Sequence, residues 1–273
     1  MIRLAFLLPA IQLLSACGGS GDGTAVDSAS DTAVDTGDSG DTGAPPADDI
    51  AIAGDWADSW GGTHAVDNAA WRSGDSTFAI ASYDNAAGVA IAQNGPDNAW
   101  NPGLWSRFDW TWSDDGALYY CQTAYDAASA DAAEATPAAD GADLLTGCGG
   151  FSWTELRPVL SITGGWTDSW GSTHAINAFR WAIDFSFFEV SQADDGAGWL
   201  VAQNGLANEW NPGLWSRFDW TWDAEGALWY CQTAYDAATE ADALATPAAD
   251  AADPAAGGCG GFTWTSLTPA AAR

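Results

Sequence analysis

Tryptophan set beside Asp, Asn and Gln is the recurring chemistry of this chain. Trp100-Asn101-Pro102-Gly103-Leu104-Trp105 returns unchanged as Trp210 to Trp215. Indole faces stack on sugar rings, and carboxamides and carboxylates bond hydroxyls, so this residue set suits a glycan or another small ligand. Trp100, Trp105, Trp210 and Trp215 stand beside Pro and Gly, where a loop would present them to solvent. Trp110 and Trp112 alternate with polar residues and read as core. Arg107 and Asp109, repeated as Arg217 and Asp219, share a strand face at spacing two. An ion pair on a solvated face is the plainer reading and contributes little. A guanidinium clamp for a ligand carboxylate or sulfate is the functional one.

Other chemistries find less support. His64 and His174 are the only histidines and occupy equivalent places, one per repeat. They read as structural or surface residues on strands. The cysteines are not in close pairs and no His cluster accompanies them, so no metal and no cofactor is expected. The chain has no Gly-x-Ser-x-Gly elbow, no His-Glu-x-x-His helix and no Gly-rich phosphate loop. It contains seven Arg and no Lys, which excludes Schiff-base chemistry. Repeated carboxylates (Asp58 with Asp168, Asp109 with Asp219) leave an Asp-based glycosidase as the remaining catalytic reading. The expectation is a protein that is not an enzyme: a binding module or, alternatively, a structural or protein-interaction surface protein whose tryptophans are all core and which has no small-molecule site. A formal charge of −30 opposes nucleic-acid binding, which needs a basic face to release counterions.

An internal duplication must position these residues. With a shift of 110, Gly54-Asp55-Trp56-Ala57-Asp58-Ser59-Trp60 lies on Gly164-Gly165-Trp166-Thr167-Asp168-Ser169-Trp170, and His64 on His174. Trp71 lies on Trp181, and Trp100 to Trp112 on Trp210 to Trp222. The repeats are placed at 51–158 and 161–269. Period-two alternation in Phe108–Trp112 and Ala117–Thr123, with short runs near 63–66, 78–82, 89–93 and 151–156, predicts about seven antiparallel strands per repeat. The fold class is mainly β, two tandem domains, each a sandwich or a small meander barrel. One Ala-rich helix per repeat is expected, capped by Asp126 or Asp236 and stopped by Pro137 or Pro247. Among three possible connectivities, pairing within repeats is the natural one: Cys121 with Cys148 and Cys231 with Cys259. Each bridge would close an apolar-poor loop, contributing roughly 3–4 kcal/mol in the chain-entropy model.

The N-terminus is an address. Met1-Ile2-Arg3, an apolar run from Leu4 to Leu14 and small residues at 15–16 have signal-peptide anatomy over 1–16. Leu14-Ser15-Ala16-Cys17 resembles the lipobox of bacterial lipoproteins. That resemblance implies a lipidated Cys17, a membrane partner through the acyl (palmitate-type) anchor and, with Gly18 rather than Asp next, the outer membrane, facing periplasm or cell surface. Residues 17–50, nearly all small or acidic, read as a disordered acidic tether with a reach of roughly 30 Å.

A second resemblance lies at the repeat openings. Ile162-Thr163-Gly164-Gly165-Trp166-Thr167-Asp168-Ser169-Trp170-Gly171-Ser172-Thr173 is similar to the first strand of avidin-type biotin-binding barrels, and Gly-x-Trp at a barrel start is seen in lipocalins. The family has Asn where this chain has Asp168. The resemblance implies a meander barrel whose pocket is lined by Asp168, Trp170 and Ser172, and by Asp58, Trp60 and Gly62 in the first repeat.

Overall fold

The computed structural model describes residues 49–270. The expected signal peptide, Cys17 and the tether up to residue 48 lie outside the described residues. In the first repeat β1 (Gly54–Asp58), β2 (Thr63–Val66), β3 (Ala70–Ser73), β4 (Ser76–Asp84), β5 (Val89–Asn94), β6 (Trp105–Trp112), β7 (Leu118–Ala127) and β8 (Thr154–Pro158) pair in order. β8 returns antiparallel to β1, with Ala57 opposite Arg157, and closes a barrel. The helix α1 (Ala130–Glu134) lies in the β7–β8 connection.

The second repeat builds the same barrel from β9 (Gly164–Asp168), β10 (Thr173–Ile176), β11 (Arg180–Ile183), β12 (Ser186–Asp194), β13 (Trp199–Asn204), β14 (Trp215–Trp222) and β15 (Leu228–Ala237). Then come α2 (Glu240–Leu244), a small ladder of β16 (Gly258–Cys259) with β17 (Phe262–Thr263), and the closing strand β18 (Thr265–Pro269). The barrel alternative therefore holds and the sandwich does not. The disulfides pair as expected, Cys121–Cys148 and Cys231–Cys259.

Each barrel has eight strands rather than about seven. The unforeseen strand is β3, and β11 in the second repeat. Ala70 and Trp71 are both buried, so this four-residue strand shows no alternation to read. The helices are also shorter than expected. Asp126 and Asp236 lie in β7 and β15, and Ser129 and Thr239 cap α1 and α2. Pairing of Ala127 with Trp105 extends the strand past Asp126, so ladder hydrogen bonds override the helix propensity of alanine there. Ile50, expected to end the tether, is buried with Ile52 in the first barrel's core.

An up-and-down order puts the β1–β2, β3–β4, β5–β6 and β7–β8 connections at one end, here called the mouth. The entering chain plugs the other end with Ile50 and Ile52, or Leu160 and Ile162. Above the plug, Trp71 stacks on Phe108 with centroids 4.6 Å apart, as Trp181 does on Phe218. At the β4–β5 turn the chain needs glycine. Gly88 has φ +63°, and a Cβ would sit 2.3 Å from the Trp110 carbonyl oxygen.

The Arg–Asp pairs exist but not on a solvated face. Arg107 bonds Asp109 through Nε and Nη2, and its Nη1 donates to the Glu134 carbonyl at the end of α1. Thr123 donates to the same carboxylate, and both charged side chains are buried. Arg217 repeats this with Asp219 and Leu244. The guanidinium thus satisfies helix-end carbonyls and pins the helix on the barrel wall. It has no fork left for a ligand.

The barrels touch through the first barrel's β1–β8 flank. Arg157 Nη1 donates to the carbonyls of Val190 and Ala178, and its guanidinium lies 4.4 Å from the Phe179 ring centroid. Ala57 is buried in the second barrel's core cluster.

Candidate ligand site at the barrel mouths

Inside each barrel, just below the mouth, three polar side chains are chained together. Trp71 Nε1 donates to His64 Nδ1 at 3.0 Å. A nitrogen that accepts carries no proton, so the proton of the neutral ring sits on Nε2, which donates to Asp58 Oδ2 at 3.0 Å. Asp58 Oδ1 accepts the backbone N–H groups of Trp60 and Gly62, each at 2.8 Å. Burial is the largest influence on His64 and lowers its pKa, and Asp58 opposes it only in part. Burial works against the Asp58 charge too. Hydrogen bonds from Gly62, His64 and Trp60 outweigh it and hold the carboxyl below its ordinary value. Trp181, His174 and Asp168 form the same chain in the second barrel.

The chain uses both ring nitrogens and both carboxylate oxygens. It locks the β1–β2 turn to β3 from within, so its chemistry is that of a structural pin. Asp58 and Asp168 are buried, and they bond their own turn and histidine. Trp60 and Trp170 do not enter their barrels. They project from the β1–β2 and β9–β10 turns, 80% and 84% exposed. Gly62 and Ser172 serve the same turns through backbone N–H bonds to Asp58 and Asp168.

Above the pin the first barrel opens into a cavity of about 440 Å³. Ser73, Ser76, Gln122, Tyr120, Tyr125 and Trp100 are among its walls, with His64 and Phe108 deeper. Asn94 and Asn98 line it but are committed to its frame. Asn94 holds the carbonyls of Asn101 and Tyr125 and accepts from Ser106, while Asn98 pairs both ways with the Thr77 backbone. Among the described residues the hydroxyls of Ser73, Ser76, Tyr120 and Tyr125 have no protein hydrogen-bond partner. Burial, and then the Asp58 charge, push the Tyr120 phenol up to about 12, so it keeps its proton and can donate. No Asp, Glu, Arg or Lys lines the cavity.

No family model, no curated protein and no solved structure matches this chain. The site therefore rests on its own geometry. Trp100 stands at the rim, 83% exposed, on a turn where Asn101 adopts φ 50°. Asparagine tolerates that left-handed backbone, and the turn is tied down through its carbonyl to Asn94. Trp105 is half-buried at the start of β6 and is not part of the cavity wall, and Trp215 is placed likewise. The loop context that singled out both tryptophans separates them only once the ladder is known.

The second mouth holds an equivalent cavity of about 420 Å³ with Trp210 at its rim. Tyr235, Gln232 and Ser186 match Tyr125, Gln122 and Ser76. It is shallower. His64 pairs across the ladder with Ser73, but His174 pairs with Ile183, and a directly opposed residue shares its face. Ile183 packs onto the core and lines this opening, and His174 and Tyr230 do not. Sequence reading missed Ser73, Tyr120 and Gln122. Their signal was available only as residues repeated, or conspicuously changed, between the two units. Among the described residues no group of three His, Cys, Asp or Glu is placed to hold a metal.

Proposed function

We propose that this is a cell-envelope lipoprotein, anchored through Cys17 to the bacterial outer membrane, that presents two non-catalytic binding modules for an uncharged small ligand such as a saccharide unit. The observation that carries the binding reading is the first mouth. An exposed indole stands at the rim of a cavity of about 440 Å³ whose wall offers hydroxyls, a carboxamide and aromatic faces without a formal charge. Ligand sites are concave and partly apolar, with a few placed polar groups to set orientation. A charged ligand group would enter without a counter-charge, which is costly, so the fitting ligand is neutral.

The test is a thermal-shift screen of the chain from Gly18 onward against neutral oligosaccharides, with Trp100→Ala alongside. A ligand at a hundredfold its dissociation constant adds about 2.7 kcal/mol to the folded state. The expected result is a shift from one saccharide class that Trp100→Ala abolishes. Because Trp100 is exposed, that substitution alone should change stability by no more than about 0.5 kcal/mol. No shift from any neutral saccharide would overturn the sugar reading.

A further inference from the structure

We infer that the two mouths take different ligands, and that the second is built for an uncharged amphiphile, one polar end and one apolar ring or short chain. The inference rests on the reading of the mouths as binding sites and adds the class of the second. Four positions in and beside the mouth change character together between the repeats. Ser73, Asp75, Thr77 and Pro96 become Ile183, Phe185, Phe187 and Leu206.

Phe185 occupies the tip of the β11–β12 hairpin, 93% exposed, where the first barrel presents an aspartate. Leu206, 87% exposed, lies on the β13–β14 connection, beside the Gly205 backbone that bonds the Phe187 carbonyl. Phe185 lies between Ile183 and Ser186, which both line the cavity, and with Trp210 it gives that cavity an apolar edge above a polar floor of Ser186 and Gln232. Phe187 and Leu206 line an adjoining groove with Arg180 and Glu189. Exposed apolar side chains gathered at one opening mark a binding surface, whereas scattered ones need no explanation. The occupant must be small, because the cavity holds about 420 Å³. It must be uncharged at the buried end, because no ionised side chain lines that cavity. It must carry apolar surface outward, to cover Phe185 and Trp210. In the first barrel the cavity is lined by Tyr120 and Ser73, and Asp75 stands where the second has Phe185, so a fully hydroxylated ligand that stacks on Trp100 suits it instead.

N-phenyl-1-naphthylamine, a neutral fluorescent amphiphile, is the probe. It would be titrated into the chain from Gly18 onward and into Ile183→Ser/Phe185→Asp/Phe187→Thr, which gives the second mouth and its adjoining groove the first repeat's residues. The expected result is one saturable site per chain, weakened at least tenfold in the triple variant and unchanged in Trp100→Ala. Phe185→Asp alone, at a site too exposed to affect folding, should weaken it about threefold and decides the matter if the triple variant misfolds. Ser73→Ile/Asp75→Phe/Thr77→Phe should create a second site. Binding that ignores the Phe185 and triple substitutions would overturn the inference. So would sedimentation showing that the rim is covered by a second copy of the chain. Retained probe binding with no saccharide response would sink the sugar reading of the first mouth and leave this one standing.

Discussion

The two barrels share a framework and differ at one cross-strand neighbour. Opposite His64 stands Ser73, and opposite His174 stands Ile183. His64 therefore borders a cavity in one barrel and His174 does not in the other, although both rings are almost fully buried. The Tyr120 hydroxyl faces that cavity, while Tyr230 bonds Thr265. Burial pushes both phenols up to about 12. Both barrels keep the pin, which ties the first turn of each to its third strand. The mouth is free to change because substitutions there leave the pin and core in place.

The largest expected effect tests the sameness of the barrels. Replacing Cys121 and Cys148 by Ser should cost roughly 3–4 kcal/mol, and replacing Cys231 and Cys259 the same within about 0.5 kcal/mol, since the loop lengths hardly differ. Urea unfolding under non-reducing conditions measures both. A gap of more than about 1 kcal/mol would show that the extra β16–β17 ladder contributes beyond loop closure.

The next effect tests the difference. Phe in place of Trp71 or Trp181 keeps an aromatic ring but leaves the histidine Nδ1 without its donor. Leaving a buried group unpaired costs about 1–3 kcal/mol. Trp181→Phe should fall at the upper end of that range, because His174 does not border the cavity. Trp71→Phe should fall at the lower end, because the cavity can supply a water to His64. Thermal melts that rank the two the other way would refute this distinction between the mouths.

The smallest effect is in pH. Burial lowers the pKa of both histidines below the ordinary 6.5. Below about 6.5 the unfolded chain then binds more protons than the folded one, so these groups make stability fall as pH drops through that range. Asp58, also lowered, acts in the same direction at more acid pH. With only two histidines, proton NMR of their ring C–H signals is unambiguous. Neither should titrate at 6.5, and Trp71→Phe should raise the His64 value by freeing Nδ1. A signal from either histidine titrating at its ordinary value in the unmodified chain would break the pin.

The duplication, the β class, the disulfide pairing and the exposure of Trp100 and Trp210 were legible in the residues. Each is a local or repeated pattern: identical segments, alternation, cysteine spacing, a Pro-Gly turn. Asp58 and Asp168 were expected to share a barrel interior with Trp60 and Trp170; the two aspartates are buried, but the turn throws both tryptophans outward. The ion pairs at Arg107 and Arg217 were foreseen as partners, yet their burial depends on a helix folded over them from residues far along the chain.

Composition and periodicity determined by themselves that this chain makes two strand-rich, disulfide-clipped units, because alternation and loop chemistry act over a few residues. Only the tertiary structure decided that the sheets close into eight-stranded barrels, that the histidines are pinned, and that Ser73 and Ile183 set how deep each mouth is. Those outcomes depend on which residues lie opposite one another across a ladder, and register is fixed by the packing of the whole barrel.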